Sequence, residues 1–231
     1  MRNQNTYIAK LSRRLGSVVF ALLVMTFETG FFHKPLVIET PLLITLDSPF
    51  IDTRMELLTA LDQRAPHLSE LERIWLADIV AQAAFTHGVD PFLVLAVMMV
   101  ESEFKDIAKS HAGAVGFMQL RAPTAFESSE RIGMLMPALG LYDWEANVNL
   151  GASYLRFLRD RMGSWKLALA GYNWGPTKVY RGIRAAGGRL PPHMRGYEKR
   201  VSRAYERLSR SAARQTRTAL TRGGMDTNAA I

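Results

Sequence analysis

The sequence predicts an all-α fold with one globular domain. Three observations predict it. Apolar residues recur at intervals of three and four in most segments between residues 49 and 208. Helix-starting and helix-stopping residues bracket those segments, with prolines at their fronts and glycines at their ends. No segment shows the alternation of a half-buried strand, and no internal repeat is visible. At 231 residues and 48% apolar content, the chain is long enough for one sizeable core with appendages.

The first segment reads as an export signal rather than as part of that core. Arg2, Lys10, Arg13 and Arg14 precede the uncharged run "SVVFALLVMTF", the order of a secretory signal. The run is short for a spanning helix, which needs about 20 residues. No good small-x-small cleavage site follows, so a signal peptide and a retained signal anchor both fit residues 1–30. Pro35, Pro41 and Pro49 then mark an extended linker.

The helical elements follow in order. Ser48 is a plausible N-cap with Pro49 as first residue of "PFIDTRMELLTALDQRA". "LSELERIWLADIVAQAAFTHG" carries Leu68, Leu71, Ile74, Trp75 and Ile79 at helical spacing and stops on Gly88. Asp90 caps a helix that starts at Pro91 and is expected to reach about Phe104. The next predicted helix runs from about Glu145 to Met162, before Gly163. Shorter ones follow from Ser164 to Tyr172 and from Pro176 to Ala186. "LPPHMRGYEKRV" opens the last, which extends past Leu208, and beyond Arg217 the composition predicts fraying. The chain thus divides into an export segment over 1–30, a linker and N-terminal helix over 31–65, the main helical domain over 66–208, and a basic, flexible tail over 209–231.

Charge narrows the partners. The net charge is +8, but nine basic residues between Arg195 and Arg222 face only Glu198 and Glu206, and four more lie before Gly16. The body between is slightly acidic, so it is not a polycation built for nucleic acid. The chain has no cysteine, which excludes a disulfide framework and a thiolate metal site. Its five histidines are scattered with no ligand pair at helical spacing, so neither a metal nor another cofactor is expected.

One residue stands out in the body. Pro91 to Val100 pass without a charge, and then a carboxylate arrives at Glu101. On a helix, Glu101 shares a face with Val94, Val97 and Met98. Apolar neighbours and the negative end of the helix dipole both disfavour its charged form, which raises its pKa as a general acid working near neutrality requires. On the same helix Glu103 would point elsewhere, and Asp143 and Glu145 read as helix N-terminal residues. Downstream, "SHAGAVGFMQL" is a short apolar loop in which Gly113 and Gly116 permit close backbone approach. Gln119 offers donors and an acceptor there. "ALAGYNWGPTKVY" places Tyr172, Asn173 and Trp174 together at a helix end.

Together, "ESEFKDIAKSHAGAVGFMQL" and "AGYNWG" resemble the soluble lytic transglycosylases, relatives of goose-type lysozyme. That family's pattern is a Glu-Ser, a Ser nine residues after the Glu, a Gly-Leu-Met-Gln block and a later Ala-Tyr-Asn-Ala-Gly. Glu101-Ser102, Ser110, Gly116, Met118, Gln119, Tyr172, Asn173 and Gly175 match it, while Phe117, Gly171 and Trp174 depart from it. The resemblance covers about residues 70 to 207 and implies a lysozyme-like fold for the main domain. It also implies cleavage of the β-1,4 bond between N-acetylmuramic acid and N-acetylglucosamine in peptidoglycan, with a 1,6-anhydro product. Glu101 would act first as acid and then as base. Ser110, Met118, Gln119, Tyr172 and Asn173 would line the cleft, with Tyr172 close to Glu101. Tyr197 sits where the family often has a tyrosine near the cleft, though a core tyrosine would look the same.

Two alternatives stay open at this point. A hydrolytic muramidase on the same fold would need a second carboxylate, about 5 Å or 6.5–9.5 Å away. A non-catalytic wall-binding or assembly factor is the other, motivated by Arg200, Arg203, Arg207, Arg210, Arg214 and Arg217 along one helical stripe. That stripe is either a solvated face or a dock for an anionic membrane surface, acidic wall components or a protein partner. By family analogy, an exported enzyme of this kind facing the periplasm could serve a secretion, conjugation or flagellar assembly. No residue selects among these machines, or fixes exo versus endo action or oligomeric state.

Overall fold

The structure, a computed structural model, describes residues 49–135 and 140–226, with side chains placed from 53 to 135 and from 140 to 212. These residues all fall within one unit, Ile44–Ile231. The expected export segment, most of the linker and Ser48 lie outside the described residues. Eight α-helices form the described part: α1 Pro49–Arg64, α2 Glu70–His87, α3 Pro91–Glu101, α4 Ala122–Ile132, α5 Trp144–Met162, α6 Trp165–Trp174, α7 Pro176–Ala185 and α8 Arg195–Asp226. Short 3-10 turns occupy Gly140–Tyr142 and Pro192–Met194. No strand occurs among the described residues, only isolated bridges joining Val115 to Lys109 and to Leu120. The all-α expectation holds.

Helix α3 is the axis of the core. Asp90 Oδ1 accepts from the N–H groups of Phe92 and Leu93, and Pro91 fills a front position where no donor is needed. Leu93 to Met98 are all buried, so this helix is apolar around its whole circumference and has protein on every side. Each buried Leu, Val or Met of the run contributes about 1.5–3 kcal/mol relative to exposure. Helix α8 covers it with Val201, Ala204 and Leu208, and α1 and α2 complete the packing. A smaller cluster joins the end of α5 to α6, α7 and the turn before α8 through Leu158, Met162, Ala168, Val179, Leu190 and Met194.

Several element boundaries differ from expectation, each for a local reason. Helix α3 stops at Glu101, not near Phe104. Glu103 and Phe104 take left-handed backbone angles, with φ of 53° and 61°, which turn the Phe104 ring into the core at 1% exposure. His67 Nε2 lies 2.9 Å from the Phe104 carbonyl, and since a carbonyl only accepts, that nitrogen carries the proton. On α2 the buried face is Leu76, Ala77, Ile79, Val80, Ala83 and Ala84, whereas Leu71 and Trp75 are exposed. Trp75 instead stacks on Trp144, with ring centroids 4.9 Å apart.

Helix α4 is absent from the sequence prediction. It buries only Ala125, Ser128 and Ser129, so it carries almost no apolar periodicity, although Gly133 at φ 65° closes it in the ordinary way. Helix α8 runs on to Asp226, past the point where composition predicts fraying.

Candidate active site

Glu101 closes α3 with Val94, Val97 and Met98 fully buried on its own face. Burial pushes its pKa above the ordinary glutamate value, and this outweighs the lowering influence of the Tyr197 hydroxyl and the Arg200 guanidinium. Two tyrosines converge on it. Tyr197 and Tyr172 stack in parallel, 6.3 Å apart and 7° from coplanar, and the Glu101 charge helps hold both phenols well above their usual pKa. Both are therefore neutral hydroxyls. The Tyr197 hydroxyl is buried and meets no partner at hydrogen-bond geometry, yet its proximity favours ionised Glu101, so the contact is a loose one. The Arg200 guanidinium lies 5.6 Å from the Tyr197 ring centre.

Helix, loop and ring are tied together at one point. Ser102 is buried, and its hydroxyl lies within hydrogen-bond distance of the Met98 carbonyl (3.1 Å) and the Phe117 carbonyl (2.8 Å). The loop from 105 to 121 then folds on itself: Gly116 N–H donates to Ala108 O, and Val115 and Leu120 exchange N–H···O bonds at 3.0 and 3.1 Å. Asn147 on α5, 1% exposed, clamps that loop. Its Oδ1 accepts from Met118 N–H at 2.8 Å, and its Nδ2 donates to Val115 O and Leu141 O. The clamp explains Gly116, whose φ is +78°. A Cβ there would lie 2.7 Å from Asn147 Cγ and 2.8 Å from Leu141 O.

The expected site residues fall into four placements. Tyr172 lies beside Glu101, and its hydroxyl donates to Met118 O at 2.8 Å. Tyr197 is there too, at 2% exposure. Met118 is a correction to the sequence expectation. It is fully buried with its side chain against Gly151, so it belongs to the core and acts through its backbone carbonyl instead of lining an open wall. Gln119 and Ser110 are half-buried in the loop, and both are partly engaged. Gln119 takes a left-handed φ of 47° and spends its amide N–H groups on Ala108 O and Gly116 O, leaving its carbonyl oxygen. Ser110 Oγ accepts from Ala114 N–H, leaving its own proton to donate. Asn173 is exposed on the last turn of α6, and its side chain makes no hydrogen bond to a described residue. Trp174 sets its edge against the His193 ring.

Removing the Tyr172 hydroxyl has a predictable cost. Tyr172→Phe is expected to lose about 1 kcal/mol in denaturant unfolding, because the Met118 carbonyl loses a buried donor.

Sequence reasoning missed three participants. Ser102, noted in the sequence only as part of the family pattern, and Asn147 act on backbone across the fold. Ser102 stands between Glu101 and Glu103, and only Asn147, between Ala146 and Val148, has the local signal of a polar residue among apolar ones. Arg200 was legible as a member of the arginine stripe, but not as a neighbour of Glu101. Gly171, where the family pattern has Ala, also finds its reason here: a Cβ would meet Met162 Sδ at 2.6 Å.

No second carboxylate influences Glu101 among the described residues. Glu103 is exposed and pairs with Lys105 at 3.1 Å. Asp106 Oδ2 accepts from Trp144 Nε1, and Asp143 caps α5 through Ala146 N–H at 2.8 Å.

The family model described as the transglycosylase SLT domain matches residues 78–193. The membrane-bound lytic murein transglycosylase F of Desulfosudis oleivorans is 36% identical over 104 residues, covering 42% of this chain and 21% of the relative. The membrane-bound lytic murein transglycosylase C of Klebsiella pneumoniae is 33% identical over 126 residues, covering 53% and 33%. The chain thus spans about a fifth to a third of the length of these relatives. Among solved structures, the 70 kDa soluble lytic transglycosylase of Escherichia coli superposes with a TM-score of 0.52 at 25% identity, over 70% of this chain and 28% of that one. An inactive mutant of the lytic transglycosylase Slt of Pseudomonas aeruginosa gives a TM-score of 0.53 at 22% identity, over 70% and 30%, and shares the fold.

Proposed function

The chain belongs to the transglycosylase SLT family, and from that membership we propose that it is a peptidoglycan lytic transglycosylase with Glu101 as its acid and then its base. The observation that carries the reading is one partly buried carboxylate, raised in pKa, facing two neutral tyrosines and one arginine with no second carboxylate acting on it.

Protonated Glu101 gives its proton to the glycosidic oxygen as the C1–O bond breaks and the ring takes oxocarbenium character. The muramoyl C6 oxygen then bonds to C1 of its own ring, and its proton returns to Glu101. No water is consumed. Opposing influences on one side chain suit this double duty. Burial favours the acid that donates, while Arg200 and Tyr197 favour the carboxylate left behind. Ser110, Gln119, Asn173 and the two tyrosines are the groups we assign to sugar hydroxyls and N-acetyl groups. Met118 holds Tyr172 in place from behind.

The relatives' printed names include "membrane-bound", and we place this enzyme in the envelope, exported by its N-terminal segment to face the periplasm. Among the described residues no helix is long and apolar enough to cross a membrane.

The test is digestion of purified sacculi with mass analysis of the fragments. Anhydro ends are expected; reducing ends would make the protein a hydrolase. The pH profile supplies a second readout. Activity needs the protonated carboxyl, so kcat/KM should fall tenfold per pH unit above the pKa of Glu101, which lies above the ordinary glutamate value. Arg200→Gln removes a cation that favours the carboxylate, so the descending limb should move to higher pH.

A further inference from the structure

Ser153 on α5 is only 4% exposed and lines a cavity, yet its hydroxyl makes no hydrogen bond to a described residue. Buried polar groups are rarely left without a partner, so such a hydroxyl calls for a ligand. The cavity, of about 360 Å³, lies where the ends of α2 and α4 meet the second half of α5, and it shares no lining residue with the Glu101 site. Arg131, Arg156 and Arg161 stand on its walls. Asp160 is the one acid among its lining residues, and Arg156 holds it at 2.8 Å. Arg131 and Arg161 form no ion pair with a described carboxylate. The Phe157 ring steadies both instead, with their guanidinium carbons 3.9 and 5.9 Å from its centre. The arginines and the aspartate together give the lining a charge of +2. Guanidiniums gathered this way repel each other, and an anion seated among them relieves that cost.

We propose that this cavity binds a phosphate monoester, borne by a soluble molecule or by a lipid headgroup. Such a group carries about −1.5 to −2 charge at pH 7 and presents three acceptor oxygens. Its charge matches that of the lining. Guanidiniums take phosphate oxygens in bidentate geometry, which suits Arg131 and Arg161, and an oxygen remains for the Ser153 hydroxyl. A single carboxylate brings half the charge and only two oxygens. An uncharged stretch of glycan gains nothing from the arginines. Small-ligand pockets run from roughly 300 to 1,000 Å³, so this one has room for a phosphate and a small group that carries it.

Calorimetry on the full-length protein provides the test, with glycerol 3-phosphate and succinate as probes. Succinate spreads its two charges over separate carboxylates, and glycerol 3-phosphate is expected to bind about tenfold more tightly. Ser153→Ala should weaken that binding about tenfold, the loss of one hydrogen bond to a charged group, and leave sacculus digestion unchanged. The double variant Arg131→Ala, Arg161→Ala should abolish it. Sedimentation with phosphatidylcholine vesicles separates the two sources. The vesicles carry phosphatidate, a monoester, or phosphatidylglycerol, a diester, at equal surface charge. A phosphatidate preference that Ser153→Ala removes assigns the phosphate to a lipid, whereas glycerol 3-phosphate binding without that preference assigns it to a soluble molecule. Succinate bound as tightly as glycerol 3-phosphate, binding that either variant leaves unchanged, or no response to either form of phosphate overturns the proposal. So does a parallel fall in sacculus digestion in Ser153→Ala, which would make the cavity part of the glycan cleft. Binding there needs neither Glu101 nor glycan cleavage, so its failure leaves the transglycosylase reading untouched.

Discussion

Glu101→Gln is expected to abolish glycan cleavage, with a loss on the order of 10³-fold in kcat, the usual contribution of a positioned general acid. Glutamine keeps the shape of the side chain and its hydrogen-bonding reach, but it carries no ionisable proton to give and offers no carboxylate to take one back. The effect should fall on kcat and leave sugar binding largely intact. The same substitution carries a stability signature of opposite sign. Glu101 holds its proton more tightly folded than unfolded, because burial disfavours the charge. Such a group destabilises the fold as pH rises from the unfolded pKa, near 4.5, through the higher folded one, and the full penalty remains above that. Replacing it with a neutral isostere should therefore raise Tm at neutral pH, with the gain shrinking toward zero at acid pH. A variant that is both inactive and more thermostable is the pattern of a residue kept for chemistry. Full activity in Glu101→Gln would remove the mechanism.

What was legible beforehand was local. Asp90-Pro91 marks the start of α3, and Gly88 and Gly163 mark the ends of α2 and α5. Each feature depends only on neighbouring residues, and each is where the sequence placed it. Glu101 was conspicuous because a carboxylate after ten uncharged residues needs a reason. The rest depends on contacts the chain makes far from itself in sequence. Helix α4 hides because Ser128 and Ser129 occupy its buried face. Met118 and Gln119 sit side by side in the motif but part company in space: one is sealed in the core, and the other turns its amide onto the loop backbone. No periodicity could separate those roles, since a loop has none. The Tyr172–Tyr197 stack brings α6 against α8 and required both helices to be placed first.

Asn147 offers the largest structural effect away from the carboxylate. Asn147→Ala removes one acceptor and two donors at once, leaving Met118 N–H and Leu141 O without their partners and Val115 O with only Leu120 N–H. Buried backbone groups left unsatisfied cost about 1–3 kcal/mol each, so a loss of about 3 kcal/mol or more is expected in urea unfolding. The consequence should reach the site by a defined route. Met118 offers its N–H to Asn147 and its carbonyl to Tyr172, so a loop released from α5 no longer fixes the tyrosine beside Glu101. Activity should then drop further than the folded fraction does. Asn147→Asp separates the two faces of the clamp: it keeps the acceptor for Met118 N–H but loses the donors to Val115 and Leu141. Its second carboxylate oxygen would face the Val115 and Leu141 carbonyls at 1% exposure. Its unfolding midpoint should therefore fall at or below that of the alanine variant at neutral pH and recover as the carboxyl is protonated at acid pH. A midpoint for Asn147→Ala equal to that of the wild type would mean that the 115–118 backbone is held by its own turn bonds, and the coupling from α5 to the tyrosine pair would be lost with it.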